Sequence, residues 1–154
     1  MYYYLLIAHS IFRWLAFFGL LVSLILFGVK FTQRKSFSPT DDLLRHGTAT
    51  LFHIQLIIGM LLLAKSPLVL QFWQDTQVGF ANIQLTFFGL LHPLLMFVAI
   101  IIITIGSAKA KRMTEDAAKF RTILLWFGIG FLLLMVAIPW SFSPWVSRPN
   151  FRPF

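Results

Sequence analysis

Four uninterrupted apolar runs, each about the length that a lipid hydrocarbon core requires, constrain this chain more than any other feature of it. They cover roughly Tyr4 to Val29, Gly47 to Ala64, Leu85 to Ile105 and Thr122 to Ile138. A core of ~30 Å needs ~20 residues at ~1.5 Å rise each. In lipid only a helix satisfies its own backbone groups over such a length, so the periodicity question is settled by solvent rather than by propensity. Charged residues make up 12% of the 154 and apolar residues 58%, whereas a soluble domain carries about 25% charge. The expected fold is all-α: one integral membrane four-helix domain over residues 1–154, running up-down-up-down.

Charge gives the orientation. Lys30, Arg34, Lys35 and Arg45 flank the first connection, and Lys109, Lys111, Arg112, Lys119 and Arg121 flank the third, together nine of the thirteen basic residues. Such loops are cytoplasmic by the positive-inside rule, which places both termini on the non-cytoplasmic side. The net charge of +8 then reports topology, and no nucleic-acid partner is expected. The connection Lys65–Gln84, with Phe72, Trp73 and Asp75, is external. Tyr2, Tyr3, Tyr4, Trp140 and Trp145 are expected to form an aromatic belt on that side. Thr40 before Asp41-Asp42 and Thr114 before Glu115-Asp116 read as N-caps of the second and fourth helices. The tail from Pro139 holds four of the seven prolines and is expected to be irregular. The first run has no basic segment before it and is too long for a cleaved signal peptide, so it is expected to stay as a span.

The chain has no Cys. Thiolate-held iron–sulfur clusters, covalent haem attachment and disulfides are therefore excluded within it.

Four side chains sit where lipid makes an ionisable group costly: His9, Arg13, His53 and His92. Counting from the basic residue at each span's cytoplasmic end, His9 stands ~31 Å up, His92 and Arg13 ~25 Å, and His53 ~12 Å. His9, Arg13 and His92 thus share the outer half, and His53 occupies the inner half. His46, beside Arg45, reads as a headgroup-level residue. In an up-down-up-down bundle the first and third spans face each other diagonally, so His9 and His92 approach from opposite sides. Two neutral imidazoles in that arrangement suit the axial positions of a haem b iron, with His53 as the alternative partner of His92. Gly89, Met96 and Ala99 on the His92 face, Ala16 below His9, and Gly128 with Gly130 offer a slot for the macrocycle. Pro93 leaves the Gly89 carbonyl without its helical donor, so that carbonyl is an expected acceptor for a histidine N–H. All five acids lie in loops or at helix starts. The expected partner of Arg13 is consequently a haem propionate, a lipid headgroup or a carboxylate of another subunit. No two histidines stand at i,i+3 or i,i+4 with an acid, so a metal site other than haem is not expected. Met60, Met96 and Met135 read as packing.

Several of these residues sit in recognisable strings. His9-Ser10-x-x-Arg13-Trp14, Phe52-His53-Ile54-Gln55-Leu56-x-x-Gly59, His92-Pro93-Leu94, Ile103-Thr104-Ile105-Gly106, Asp116-Ala117-Ala118-Lys119-Phe120 and Ile138-Pro139-Trp140 resemble the small four-helix bacterial inner-membrane proteins catalogued as "cytochrome B". The resemblance runs along nearly the whole chain. It implies haem b, electron transfer and a multi-pass place in the bacterial cytoplasmic membrane. Leu91 departs from it, standing where an acid is expected before the histidine.

The expected function is that of a b-type cytochrome with two axial histidines, passing electrons within the membrane with quinol as a candidate partner; His53 is then free to act as a proton or quinone ligand. Two alternatives stand beside it. One is a haem-dependent porphyrinogen oxidase-like enzyme, whose histidine pattern differs from His9-x-x-x-Arg13-Trp14. The other is a cofactor-free accessory subunit, or homo-oligomer, in a larger membrane complex.

Overall fold

The computed structural model describes residues 1–143 and Val146; Trp145 and the remainder of the proline-bearing tail lie outside the described residues. Four helices are long and apolar enough to cross a membrane: Tyr2–Thr32, Pro39–Lys65, Ile83–Arg112 and Asp116–Ala137. No strand occurs among the described residues. The chain is an all-α, up-down-up-down bundle. In chain order its helices are α1 (Tyr2–Thr32), α2 (Pro39–Lys65), α3 (Pro67–Gln74), α4 (Thr76–Ala81), α5 (Ile83–Thr86), α6 (His92–Arg112) and α7 (Asp116–Ala137), with a π turn at Phe87–Leu91 joining α5 to α6.

Adjacent long helices are α1 with α2, α2 with α6, α6 with α7, and α7 with α1, leaving α1 and α6 on a diagonal. The inward residues recur at spacings of three and four. On α1 they are Ala16, Leu20, Ser23 and Phe27; on α7 they are Phe120, Ile123, Phe127, Gly130, Leu134 and Ala137. The outward face of α1 is also apolar, exposing Ile11, Leu15, Phe18, Val22, Ile25 and Val29. A helix apolar on both sides has an apolar surrounding on both sides, which is the condition of a membrane span. Close approach of α6 and α7 needs small residues opposite large ones. A Cβ at Gly106 would fall on the Trp126 side chain, and one at Gly130 would come within 2.6 Å of Ile103.

The end where α1 and α6 finish and α2 and α7 begin carries the basic residues. There Asp41, 4% exposed, accepts from Lys30 Nζ at 2.7 and 2.8 Å and from the Ser38 backbone N–H at 2.9 Å. Ser38, one residue before Pro39, is thus the N-cap of α2, and Glu115 that of α7. The residues Thr40 and Thr114 do not fill these positions: the fixed φ of Pro39 suits the first helical turn, so α2 starts earlier. Arg45 is buried and bridges helices, donating to the Ser107 carbonyl at 2.9 Å, to Ser107 Oγ and to Asp42.

The opposite, far end is closed by the connection between α2 and α6. That connection folds into α3, α4 and α5, with Asp75 and Asn82 capping α4 and α5 through their side chains. Phe72 is fully buried beneath it. Trp140 also differs from the expected belt position. Only 9% exposed, it packs on Trp14 and Phe17 at centroid distances of 6.0 and 5.5 Å and donates from Nε1 to the Met135 carbonyl at 2.8 Å. Inward rotation satisfies its indole N–H on an open carbonyl in the last turn of α7, which an interfacial position would leave to water.

Candidate functional site

His92 opens α6 directly after the π turn. Its backbone N–H bonds to the carbonyl of Phe87, five residues back. Pro93 follows and has no N–H to give Gly89, so the local ladder cannot keep the α register and widens by one residue. The widened turn carries the His92 ring inward toward α7. There Nδ1 lies 2.7 Å from the Ala137 carbonyl oxygen. A carbonyl only accepts, so Nδ1 holds the proton and, in a neutral ring, Nε2 is left as a lone pair. The acceptor is therefore not the Gly89 carbonyl freed by Pro93. Ala137 ends α7, and Pro139 stops the helix from continuing, so its carbonyl is one of the four that a C-terminus leaves open.

His9 comes from the diagonal helix. Its ring centroid is 6.3 Å from that of His92, with the planes at 73°. On its other side the ring rests on α2: a Cβ at Gly59 would meet His9 Cε1 at 3.3 Å and Nδ1 at 3.8 Å. Gln55, one turn from Gly59 on the same face, donates from Nε2 to the His9 carbonyl at 3.0 Å. His9 Nδ1 and Gln55 Oε1 are both buried without a hydrogen-bond partner. Two buried acceptor-capable atoms in this state are costly in an apolar interior and mark the place as one built for more than packing.

Arg13, one turn along α1, contacts Ser10 Oγ at 3.4 Å and lies with its guanidinium carbon 5.4 Å from the centre of the Trp14 ring. It stands within electrostatic reach of both imidazoles. Phe87 and Phe88 close the His92 side at 5.7 and 6.3 Å. The structure thus brings His9, Arg13 and His92 together and leaves His53 apart. His53 is exposed on the outer surface between α2 and α6, with Nε2 2.9 Å from Thr104 Oγ1.

The chemistry of the donor set suits a haem iron: two imidazoles on a diagonal, one of them with its tautomer fixed by a carbonyl. The expected slot is filled differently. The space left by Gly89 is taken by Phe72, whose Cγ lies 2.5 Å from where a Cβ would stand, and Ile103 occupies the hollow at Gly130. Ala16 and Ala99 are buried in the core, and Met96 packs against it. No group of three His, Cys, Asp or Glu suited to a metal ion occurs among the described residues. Gln55, Gly59, Phe72 and the Ala137 carbonyl complete the site beyond the ionisable residues. Gln55 and Gly59 carried a legible signal, a polar and a tiny residue at i,i+4 in an apolar run. Phe72 carried none. Compared with protein-family models, with curated proteins and with solved structures, the chain finds no match.

Proposed function

We propose that this chain is a b-type cytochrome of the bacterial cytoplasmic membrane, with its basic end in the cytoplasm and haem b held between His9 and His92. The observation that carries the reading is the 6.3 Å between the two ring centroids. Two imidazoles that shared an iron would need ring centres about 6 Å apart. Support also comes from the Nδ1–H of His92 on the Ala137 carbonyl, which in a neutral ring leaves Nε2 with the lone pair that a metal needs. Arg13 lies one turn from His9, a cation placed for a propionate.

When bound, haem b supplies a one-electron couple. The part of the chain would be to hold it: His9 and His92 would both bind its iron, which would favour electron transfer over oxygen chemistry. Gly59 abuts the His9 ring, Gln55 ties the His9 backbone carbonyl to α2, and the aromatic rings around His92 exclude water.

The test is the reduced-minus-oxidised absorption spectrum of the purified protein beside His9→Ala, His92→Ala and His53→Ala. Wild type and His53→Ala are expected to show a Soret band with sharp α and β bands, and the other two to lose them. A flat wild-type spectrum, or all three variants matching a haem-bearing wild type, overturns the assignment. One observation favours a second reading. Phe72 packs into the space at Gly89, as in a cofactor-free accessory subunit whose histidines tie α1, α6 and α7 together; the flat spectrum is its signature.

A further inference from the structure

Between α2 and α6, on the outer surface, runs a groove of about 220 Å³. Leu56, Phe97, Ile101 and Ile105 form its walls, and its polar side chains are His53 and Thr104. The hydroxyl of Thr104 donates to the Ile100 carbonyl at 2.7 Å. A hydroxyl has one proton, so at its 2.9 Å contact with His53 Nε2 the threonine oxygen accepts and Nε2 carries the hydrogen. In a neutral ring Nδ1 is then the acceptor nitrogen, on a side chain that lines an apolar groove about 12 Å along α2 from Arg45. An unsatisfied polar atom in hydrocarbon is costly.

The complement of this groove is a flat apolar ring bearing a hydroxyl donor. A phospholipid phosphate offers acceptors and belongs at the headgroup level, so it matches neither the depth nor the hydrogen bond. An oxidised quinone also offers only acceptors. We propose that the groove binds the head of a quinol, one hydroxyl donating to His53 Nδ1 while the tail lies in the bilayer. The Ile100–Thr104–His53 chain makes the site selective for the reduced form, because it fixes which imidazole nitrogen is bare. His53 stands six residues from Gly59, which abuts His9, so the groove lies about 9 Å along the bundle from the histidine pair. This deepens the cytochrome reading, on which its physiological meaning as electron donor rests; the binding itself does not need haem.

The experiment uses the full chain, ¹⁵N-labelled at histidine, in quinone-free lipid nanodiscs under anaerobic conditions. The probes are a decyl-tailed benzoquinol and its quinone. Expected is an unprotonated Nδ1 resonance of His53, assigned by its loss in His53→Gln, that shifts with quinol at roughly tenfold lower concentration than with quinone, the weight of one hydrogen bond in an apolar site. Thr104→Val, near-isosteric and so retaining the fold, is expected to free the tautomer and erase the preference. A silent His53, equal response to quinol and quinone, or the same shift with phospholipid alone overturns the proposal. A wild type with a haem spectrum and a silent His53 sinks the groove and spares the cytochrome; a flat visible spectrum with a quinol-induced shift does the reverse.

Discussion

His92 Nδ1 and the Ala137 carbonyl, 2.7 Å apart, join two helix defects into one contact. Each defect is the work of a proline. Pro93 forces the π turn that aims the ring, and Pro139 ends α7 so that the Ala137 carbonyl has no helical donor. A histidine N–H and an open carbonyl, both costly if left alone in an apolar interior, satisfy each other.

Pro139→Ala is expected to spoil this without breaking the fold. With the N–H restored, α7 can continue and the Ala137 carbonyl is drawn toward the N–H of Ser141. The His92 ring then loses the partner that fixes its orientation. Loss of such an outer partner typically costs ~10–100-fold in metal affinity. Titration of the purified apoprotein with haem, followed by Soret absorbance, is expected to show that weakening, while helical circular dichroism stays at the wild-type level.

Gly59 offers a graded test of the His9 position. A methyl group there would sit 3.3 Å from His9 Cε1, a tight contact that a few tenths of an ångström of ring movement relieves. Gly59→Ala is therefore expected to keep both stability and spectrum within ~1 kcal/mol of wild type, since alanine also favours the helix. Gly59→Leu has no such escape and should cost ~1–3 kcal/mol by overpacking. Thermal unfolding in detergent measures the first quantity, and the spectrum reports whether His9 is displaced.

How much of this was legible in the sequence depends on which solvent set each feature. The four spans were readable from their length, because lipid allows a single backbone solution. The convergence of His9, Arg13 and His92 was readable too, from height counting along straight helices. Phe72 and Trp140 were not. Both are aromatic residues beside helix ends, and whether such a ring faces the interface or the core depends on a hollow supplied by distant residues: Gly79 and Gly89 for the first, Trp14 and Phe17 for the second. The acceptor of the His92 proton was misplaced for a related reason. Pro93 identifies an open carbonyl on its own helix, but α7 presents another one across the bundle, and sequence spacing does not rank them.

Arg34 supplies a prediction with the opposite sign. It follows the C-cap of α1, Gln33, at φ 52°, in the left-handed region, where Arg34 N–H reaches the Phe31 carbonyl at 3.2 Å and Lys35 N–H the Lys30 carbonyl at 3.0 Å. A side chain pays ~1 kcal/mol for that conformation and glycine does not. Arg34→Gly is expected to raise stability by about 0.5–1 kcal/mol, read as a higher unfolding midpoint in detergent. An unchanged or lower midpoint would refute the backbone assignment at this position.

The joint between α1 and α2 rests on Lys30 and Asp41. The lysine amine is a third exposed and the carboxylate 5% exposed, so the two partners are not equivalent. Lys30→Met leaves a carboxylate in an apolar setting with Ser38 as its remaining partner, and is expected to cost about 2 kcal/mol, less than a fully buried pair because the site lies at the end of the bundle. Asp41→Leu leaves an amine that can extend to water along its own stem, and should cost less, apart from what the loss of the Ser38 contact takes from the start of α2. The double variant removes both charges, so it is expected to be more stable than Lys30→Met alone. A double-mutant cycle by thermal unfolding measures the coupling. Strict additivity would mean that the 2.7 Å contact contributes nothing, and that Phe37, packed on Phe27 and Phe120 beside it, holds the joint alone.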